Sequence, residues 1–215
     1  MFEKKIQLQK LKKLVDEIER VFPLEENIKE AFLSIPREEF VPLGLKHLSY
    51  KIDPLPIKGN QWISSPLTVA KMTHYLDIDK SVDSILEIGC GSGYQAAILS
   101  KIARRVFSVE RIKRLSDEAK SRFCKLKLNN INVRHDDGQN GWSSFAPYER
   151  ILFSATTDKI PKKLFAQLKI GGILVAPIKK GDRQVITKFI KEDNTLVTKE
   201  LENCKFVSIL NGIEK

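Results

Sequence analysis

Residues 85–93 read ILEIGCGSG, a run of β-formers that ends in Gly89, Gly91 and Gly93 at alternate positions, ahead of the helix-like YQAAILSKI. Side chains at those positions would hold a ligand away from the backbone, so a strand-to-helix turn of this composition suits a small molecule lying directly on it. Dinucleotide turns carry G-x-G-x-x-G and aim a helix N-terminus at a pyrophosphate. Here the third glycine comes one position early, and no Lys or Arg between Leu86 and Ser100 offers a cation to phosphate. Acids are present instead. Glu87 precedes the loop, and Asp137 stands before Gly138 in RHDDGQNGW. Glu110 lies twenty-one residues beyond Gly89, the spacing at which an acid on the second strand tip accepts ribose hydroxyls. Three carboxylates at one crevice suit a ligand with a ribose and positive charge, and S-adenosylmethionine, with its sulfonium and ammonium, is such a ligand. The competing reading of the glycines is tight helix-to-strand packing alone.

These residues need a scaffold that sets strand tips side by side. From Asp83, apolar β-branched runs alternate with helical patterns: strands over 83–88, 105–109, 131–134, 150–155 and 172–178, helices over 93–103, 112–128 and 161–168. The alternation predicts a Rossmann-like, doubly wound α/β fold with a mostly parallel sheet covered on both faces. In such sheets ligands sit outside the carboxyl ends of the strands. RQVITKFIKEDNTLVTKEL and CKFVSIL predict antiparallel C-terminal strands, with a turn at Asp193-Asn194. Upstream, amphipathic helices are expected over 2–20 and 25–34, then a Pro-bounded loop at PREEFVP and an irregular stretch through DPLPIKGNQWISSP. A helix follows from Leu67 to Leu76, with Pro66 in its first turn. The expectation is one domain over 1–215, with 1–80 a helical and substrate-loop extension and 81–215 the cofactor-binding core.

Composition narrows the function classes. MFEKKIQLQKLKKL carries charges every few residues, so neither a secretory signal nor a membrane span is expected and a cytoplasmic location is; a monomer is the working expectation. Cys90, Cys124 and Cys204 form no C-x-x-C pair and the three histidines are scattered, which argues against a disulfide framework or a zinc site. The net charge is +10, and residues 101–135 hold eleven Lys or Arg against three acids. Such a surplus fits a phosphate backbone. The simpler reading is the solvated face of an amphipathic helix, because Ile112, Leu115, Ala119, Phe123 and Leu126 fall at helical spacing.

Taken together, IPREEFVP, LPIKGNQWISSPLTVAKMT, ILEIGCGSGYQAAILSKI, VFSVERI, NVRHDDGQNGW and LKIGGILVAPI resemble the protein-L-isoaspartate O-methyltransferase family, in order from about residue 28 to residue 210. The resemblance implies methylation, by S-adenosylmethionine, of the free carboxylate of isoaspartyl residues in aged proteins. The ester then expels methanol to a succinimide that reopens partly to aspartate. By position, Ser64 matches the family's active-site serine, Glu110 its ribose ligand, and Asp137 with Gly138 its adenine-side loop. The cofactor side is assigned to Glu87, Gly89, Cys90, Gly91, Gly93, Glu110, Arg111, Asp137 and Gly138. The acceptor side is assigned to Trp62, Ile63, Ser64, Phe206 and Val207, the last two from CKFVSIL, which resembles the strand lining the family's peptide site.

The chemistry agrees. A carboxylate is already ionised at neutral pH, so its attack on a methyl group needs orientation and desolvation in place of a general base. A hydroxyl such as Ser64 can hold one carboxylate oxygen and aim the other. Its alternative role is a helix cap ahead of Pro66, a task assigned to Ser65. The chain departs from the family at Asn60, usually glycine, and at Trp62, usually threonine. Residues 62 and 64 of an extended segment point the same way, so the indole is expected beside the serine. The basic charge keeps two alternatives open: an RNA methyltransferase docking through residues 101–135, and a non-catalytic cofactor- or nucleic-acid-binding protein of the same fold.

Overall fold

The computed structural model describes residues 2–193 and 195–215. Its central layer is a seven-stranded sheet in the order β5-β4-β3-β6-β7-β8-β9. These strands are β3 (Ser84–Ile88), β4 (Arg105–Glu110), β5 (Ile131–His135), β6 (Tyr148–Phe153), β7 (Leu168–Lys180), β8 (Arg183–Lys191) and β9 (Leu196–Cys204). Strands β5 to β7 of that order pair in parallel, and β8 and β9 continue the sheet antiparallel. Every residue of β3 is buried, as a parallel strand covered on both faces requires. The chain runs outward from β3 to β4 and β5, then returns to β6 on the other side of β3. The crevice at that reversal, at the carboxyl ends of the strands, is where such sheets bind ligands.

The covering helices are α1 (Phe2–Glu19), α2 (Glu26–Ser34), α3 (Pro66–Tyr75), α4 (Tyr94–Leu99), α5 (Lys113–Lys125) and α6 (Lys162–Ala166). One buried cluster joins Leu14 and Ile18 of α1 and Phe32 of α2 to Ile85, Val106 and Val175 of the sheet, so the N-terminal helices share the core of the strands.

Several expected boundaries move, each for a local reason. Helix α4 stops at Leu99 because Asn130 Nδ2 takes the carbonyls of Ser100 and Ala103. Helix α5 ends early because Lys127 adopts φ +55° and Leu128 N bonds back to Phe123 O, a left-handed termination. The expected helix over 161–168 yields its end to β7, which starts at Leu168. The supposed loop at PREEFVP contains a 3-10 turn over Arg37–Glu39. The stretch 53–66, expected to be irregular, contains a separate hairpin of β1 (Leu55–Ile57) and β2 (Gln61–Ile63). Its turn places Gly59 at φ +67° and Asn60 at φ +52°. Asparagine tolerates that left-handed region, which glycine also enters freely. CKFVSIL is not a strand: β9 ends at Cys204, and beyond it Ser208 makes one isolated bridge to Thr156. The expected turn at Asp193-Asn194 falls partly on Asn194, outside the described residues.

Candidate active site

A cleft of about 850 Å³, its open mouth included, lies over the carboxyl ends of β3, β4 and β6. Its floor is the glycine loop. Gly89 and Gly91 take φ +92° and +53°, and a Cβ on Gly91 would meet only Ile57 Cδ1, at 3.9 Å, so backbone faces open space. Gly93 has a different task. At φ +90° it caps α4, and a Cβ there would stand 2.6 Å from Phe123 Cζ, so this glycine lets α5 pack against the loop and does not line the cleft.

Glu110 ends β4 and turns back over the loop. Its two carboxylate oxygens accept Gly91 N at 2.8 Å and Ile112 N at 2.9 Å. Burial raises its pKa, opposed by hydrogen bonds from the backbone of Gly91, Ile112 and Arg111. Each oxygen retains a lone pair for a further donor. Glu87 sits opposite Ser108 in the β3–β4 ladder and accepts its hydroxyl at 2.5 Å and that of Ser154 at 3.3 Å. With no exposed surface, burial pushes Glu87 up to about 8, which favours its neutral form at pH 7. Asp137 does not line the cleft. Its carboxylate accepts Gln139 N at 2.9 Å and Gly212 N at 2.8 Å, leaving its neighbour Gly138 on the cleft wall. Two of the three expected acids therefore meet at the crevice, and one of these carries its charge only conditionally.

Cys90 lines the cleft as a buried thiol whose pKa burial raises, small enough to sit between the glycines. Arg111 is the one basic residue among those lining the cleft, and its guanidinium is committed to Gly212 O at 3.2 Å and the Glu214 carboxylate at 3.1 Å. No lining cation is thus left for a pyrophosphate. An open glycine cradle and a carboxylate with spare lone pairs fit the nucleoside of S-adenosylmethionine better than a dinucleotide.

The opposite wall is the β1–β2 hairpin and its exit. Ser65 Oγ accepts Thr68 N at 3.0 Å and caps α3. Ser64 is left out of the cap, and its residue lines the cleft. Trp62 also lines it and is 53% exposed, so the indole does not fill the core, whereas Ile63 points inward and is buried. Val207 is on the wall but Phe206 is not; Phe206 packs on the main core and exchanges backbone hydrogen bonds with the Gln184 side chain. Gln95 on the lining carried no sequence signal, whereas Ser154 lies in the small, polar FSATTDKI loop after the fourth core strand and Ser208 to Leu210 lie in CKFVSIL, two segments that the sequence marks as facing a ligand.

The family model for protein-L-isoaspartate(D-aspartate) O-methyltransferase matches residues 9–214. The chain belongs to that family. Protein-L-isoaspartate O-methyltransferase of Helicobacter pylori (strain P12) is 54% identical over 202 residues, covering 94% of this chain and 96% of the relative. A solved protein-L-isoaspartate O-methyltransferase matches with a TM-score of 0.85 and 31% identity over 94% of this chain and 66% of the longer solved chain. A Plasmodium falciparum protein in complex with S-adenosyl-L-homocysteine matches with a TM-score of 0.83 over 93% of this chain and 97% of its own, a likeness of fold at 20% identity. The activity is S-adenosylmethionine-dependent methylation of isoaspartyl carboxylates in damaged proteins. Among the described residues no helix is long and apolar enough to cross a membrane.

Proposed function

We propose that the chain works as one cytoplasmic, monomeric domain in which the glycine loop and Glu110 hold the cofactor and Ser64 aligns the isoaspartyl carboxylate. The observation that supports this assignment is that Ser64 and the Gly89–Gly91 loop line the same cleft. Bound S-adenosylmethionine supplies an electrophilic methyl group on a sulfonium. Glu110 accepts the ribose hydroxyls with its spare lone pairs, Gly138 flanks the adenine side, and Glu87 answers the ligand's positive charge by releasing its proton. The Ser64 hydroxyl donates to one carboxylate oxygen, leaving the other free to attack. Trp62 covers the acceptor side and limits water there. Complexation of S-adenosyl-L-homocysteine by the structural neighbour supports the choice of ligand.

The docking of nucleic acid on α5 is disfavoured by its own acids. Glu118 pairs with Lys58, Arg114 and Arg122, and Asp117 pairs with Lys113, so much of the basic face is already matched. Labelled methyl transfer tests the proposal, with an isoaspartyl peptide, its aspartyl counterpart, and transfer and ribosomal RNA as rival acceptors. Label is expected in the isoaspartyl peptide alone. Label in RNA supports the docking alternative, and no label in any acceptor supports a protein that binds without catalysis.

A further inference from the structure

Arg37 is fully buried although it is charged, and among the described residues no carboxylate is bonded to it. Its guanidinium is surrounded by backbone carbonyls: Nη1 donates to Ser49 O at 2.8 Å and Lys51 O at 3.3 Å, and Nη2 to Asp53 O at 3.0 Å and Ser64 O at 3.2 Å. The last two matter most. Asp53 lies just before β1 and Ser64 just after β2, so one nitrogen ties together the two ends of the hairpin that forms the acceptor wall. The same guanidinium carbon lies 5.8 Å from the centre of the Tyr94 ring, and Tyr94 is the first residue of α4, directly after Gly93 of the cofactor loop. Burying a guanidinium is costly unless its donors are satisfied. Four carbonyls on the two terminal nitrogens, with Nε left without a partner among the described residues, use the rigid fork that distinguishes arginine from lysine.

We propose that Arg37 is the positioning residue of the methyl transfer: it fixes the Ser64 backbone, and with it the acceptor wall, at a set distance from the cofactor loop. The inference rests on the reading of Ser64 as the group that aligns the carboxylate. Arg37 has no place on the cleft wall, so its effect on catalysis passes through Ser64 and the hairpin. A misplacement of about 1 Å at a reacting group costs up to ~100-fold in rate, which is the scale open to a residue that touches neither reactant.

The test compares Arg37→Lys, Ser64→Ala and the double variant, with turnover expressed per cofactor-binding site so that unfolded chains do not count. Arg37→Lys is expected to lower kcat ~10- to 100-fold, with S-adenosylhomocysteine affinity within about twofold of wild type. The double variant is expected to be no slower than Ser64→Ala by more than about twofold, because residues acting through one group are not additive. In Arg37→Ala, tens of millimolar guanidinium should restore part of kcat where equal sodium chloride does not; if that variant fails to fold, the lysine variant decides. The inference is overturned by a lysine variant with normal turnover per site, by losses that multiply in full in the double variant, or by cofactor affinity falling in step with kcat. Normal turnover in Ser64→Ala would overturn the Ser64 reading as well, whereas an impaired Ser64→Ala beside an unimpaired Arg37→Lys defeats only the positioning role.

Discussion

On the cofactor side of the cleft, Glu87, the glycine loop and Glu110 stand at the ends of strands whose ladder hydrogen bonds fix them: Gly89 N to Val109 O and Ser154 N to Ile88 O, each at 2.9 Å, extend the ladder into the loops. On the acceptor side, a three-residue-per-strand hairpin and a tail beyond β9 lie outside the seven-stranded sheet, and side chains add to their short backbone pairings. Arg37 holds the base of the hairpin, Lys58 ties it to Glu118 of α5 at 2.7 Å, and Arg111 and Asp137 hold Gly212 of the tail. The difference suits the task. On the proposed assignment, a cofactor of constant shape meets a surface defined by the sheet, while a polypeptide of varied sequence meets a short hairpin and a tail outside it.

The contrast breaks first if the cofactor loop tolerates a side chain. Gly93→Ala places a Cβ 2.6 Å from Phe123 Cζ at φ +90°, adding backbone strain of ~1–3 kcal/mol to overpacking of similar size. Its melting temperature is expected to fall furthest of the variants considered, and melting with wild type would show that packing does not set the loop. Glu110→Ala is expected to weaken S-adenosylhomocysteine binding by about 1–3 kcal/mol while the peptide KM at saturating cofactor stays put. Calorimetry with unchanged affinity would remove Glu110 from the ribose.

Glu87→Gln sharpens the same side. Burial lifts this carboxyl from 4.5 to about 8, so between those values the folded protein holds a proton that the unfolded chain has lost. Wild-type stability therefore declines as pH rises from about 4.5 to about 8 and is level above. The glutamine variant lacks this decline, so its stability relative to wild type should rise between pH 5 and pH 8.5 in paired denaturant titrations. An equal difference at both pH values contradicts a buried neutral acid. The smallest stability change belongs to Trp62→Thr on the other wall. With the residue 53% exposed, the change is expected to stay within about 0.5 kcal/mol, while KM shifts unequally for two isoaspartyl peptides with different neighbours. A large loss of stability with unaltered preference would return the indole to the core.

The cofactor side was legible in the sequence because its determinants are local. Glycine spacing, strand hydrophobicity and the acid at the second strand tip are all read within one βαβ unit. What escaped there was burial: the sequence displays Glu87 as an acid, but the strands packed around it remove it from water and raise its pKa, against hydrogen bonds from Ser108 and Ser154 that lower it. The acceptor side was legible only through resemblance. LPIKGNQWI has no clean alternation and begins beside prolines, so its hairpin depends on the turn at Gly59 and Asn60 and on Arg37 below it. Arg37 gives no pattern at all, because its partners are backbone carbonyls spread over residues 49–64. The tail was expected as a strand because Phe206, Val207 and Ile209 are β-formers, yet after Cys204 it leaves β9 and bonds to Thr156 beyond β6.

The division between the two walls is tested most directly at Ser64. Ser64→Ala should lower kcat for an isoaspartyl peptide by ~10- to 100-fold, the scale of one hydrogen bond to a charged group. S-adenosylhomocysteine affinity and melting temperature should remain close to wild type, because Ser65 and not Ser64 caps α3. A variant that methylates at the wild-type rate, or that loses cofactor affinity in proportion to kcat, would contradict an acceptor wall that acts on the carboxylate alone.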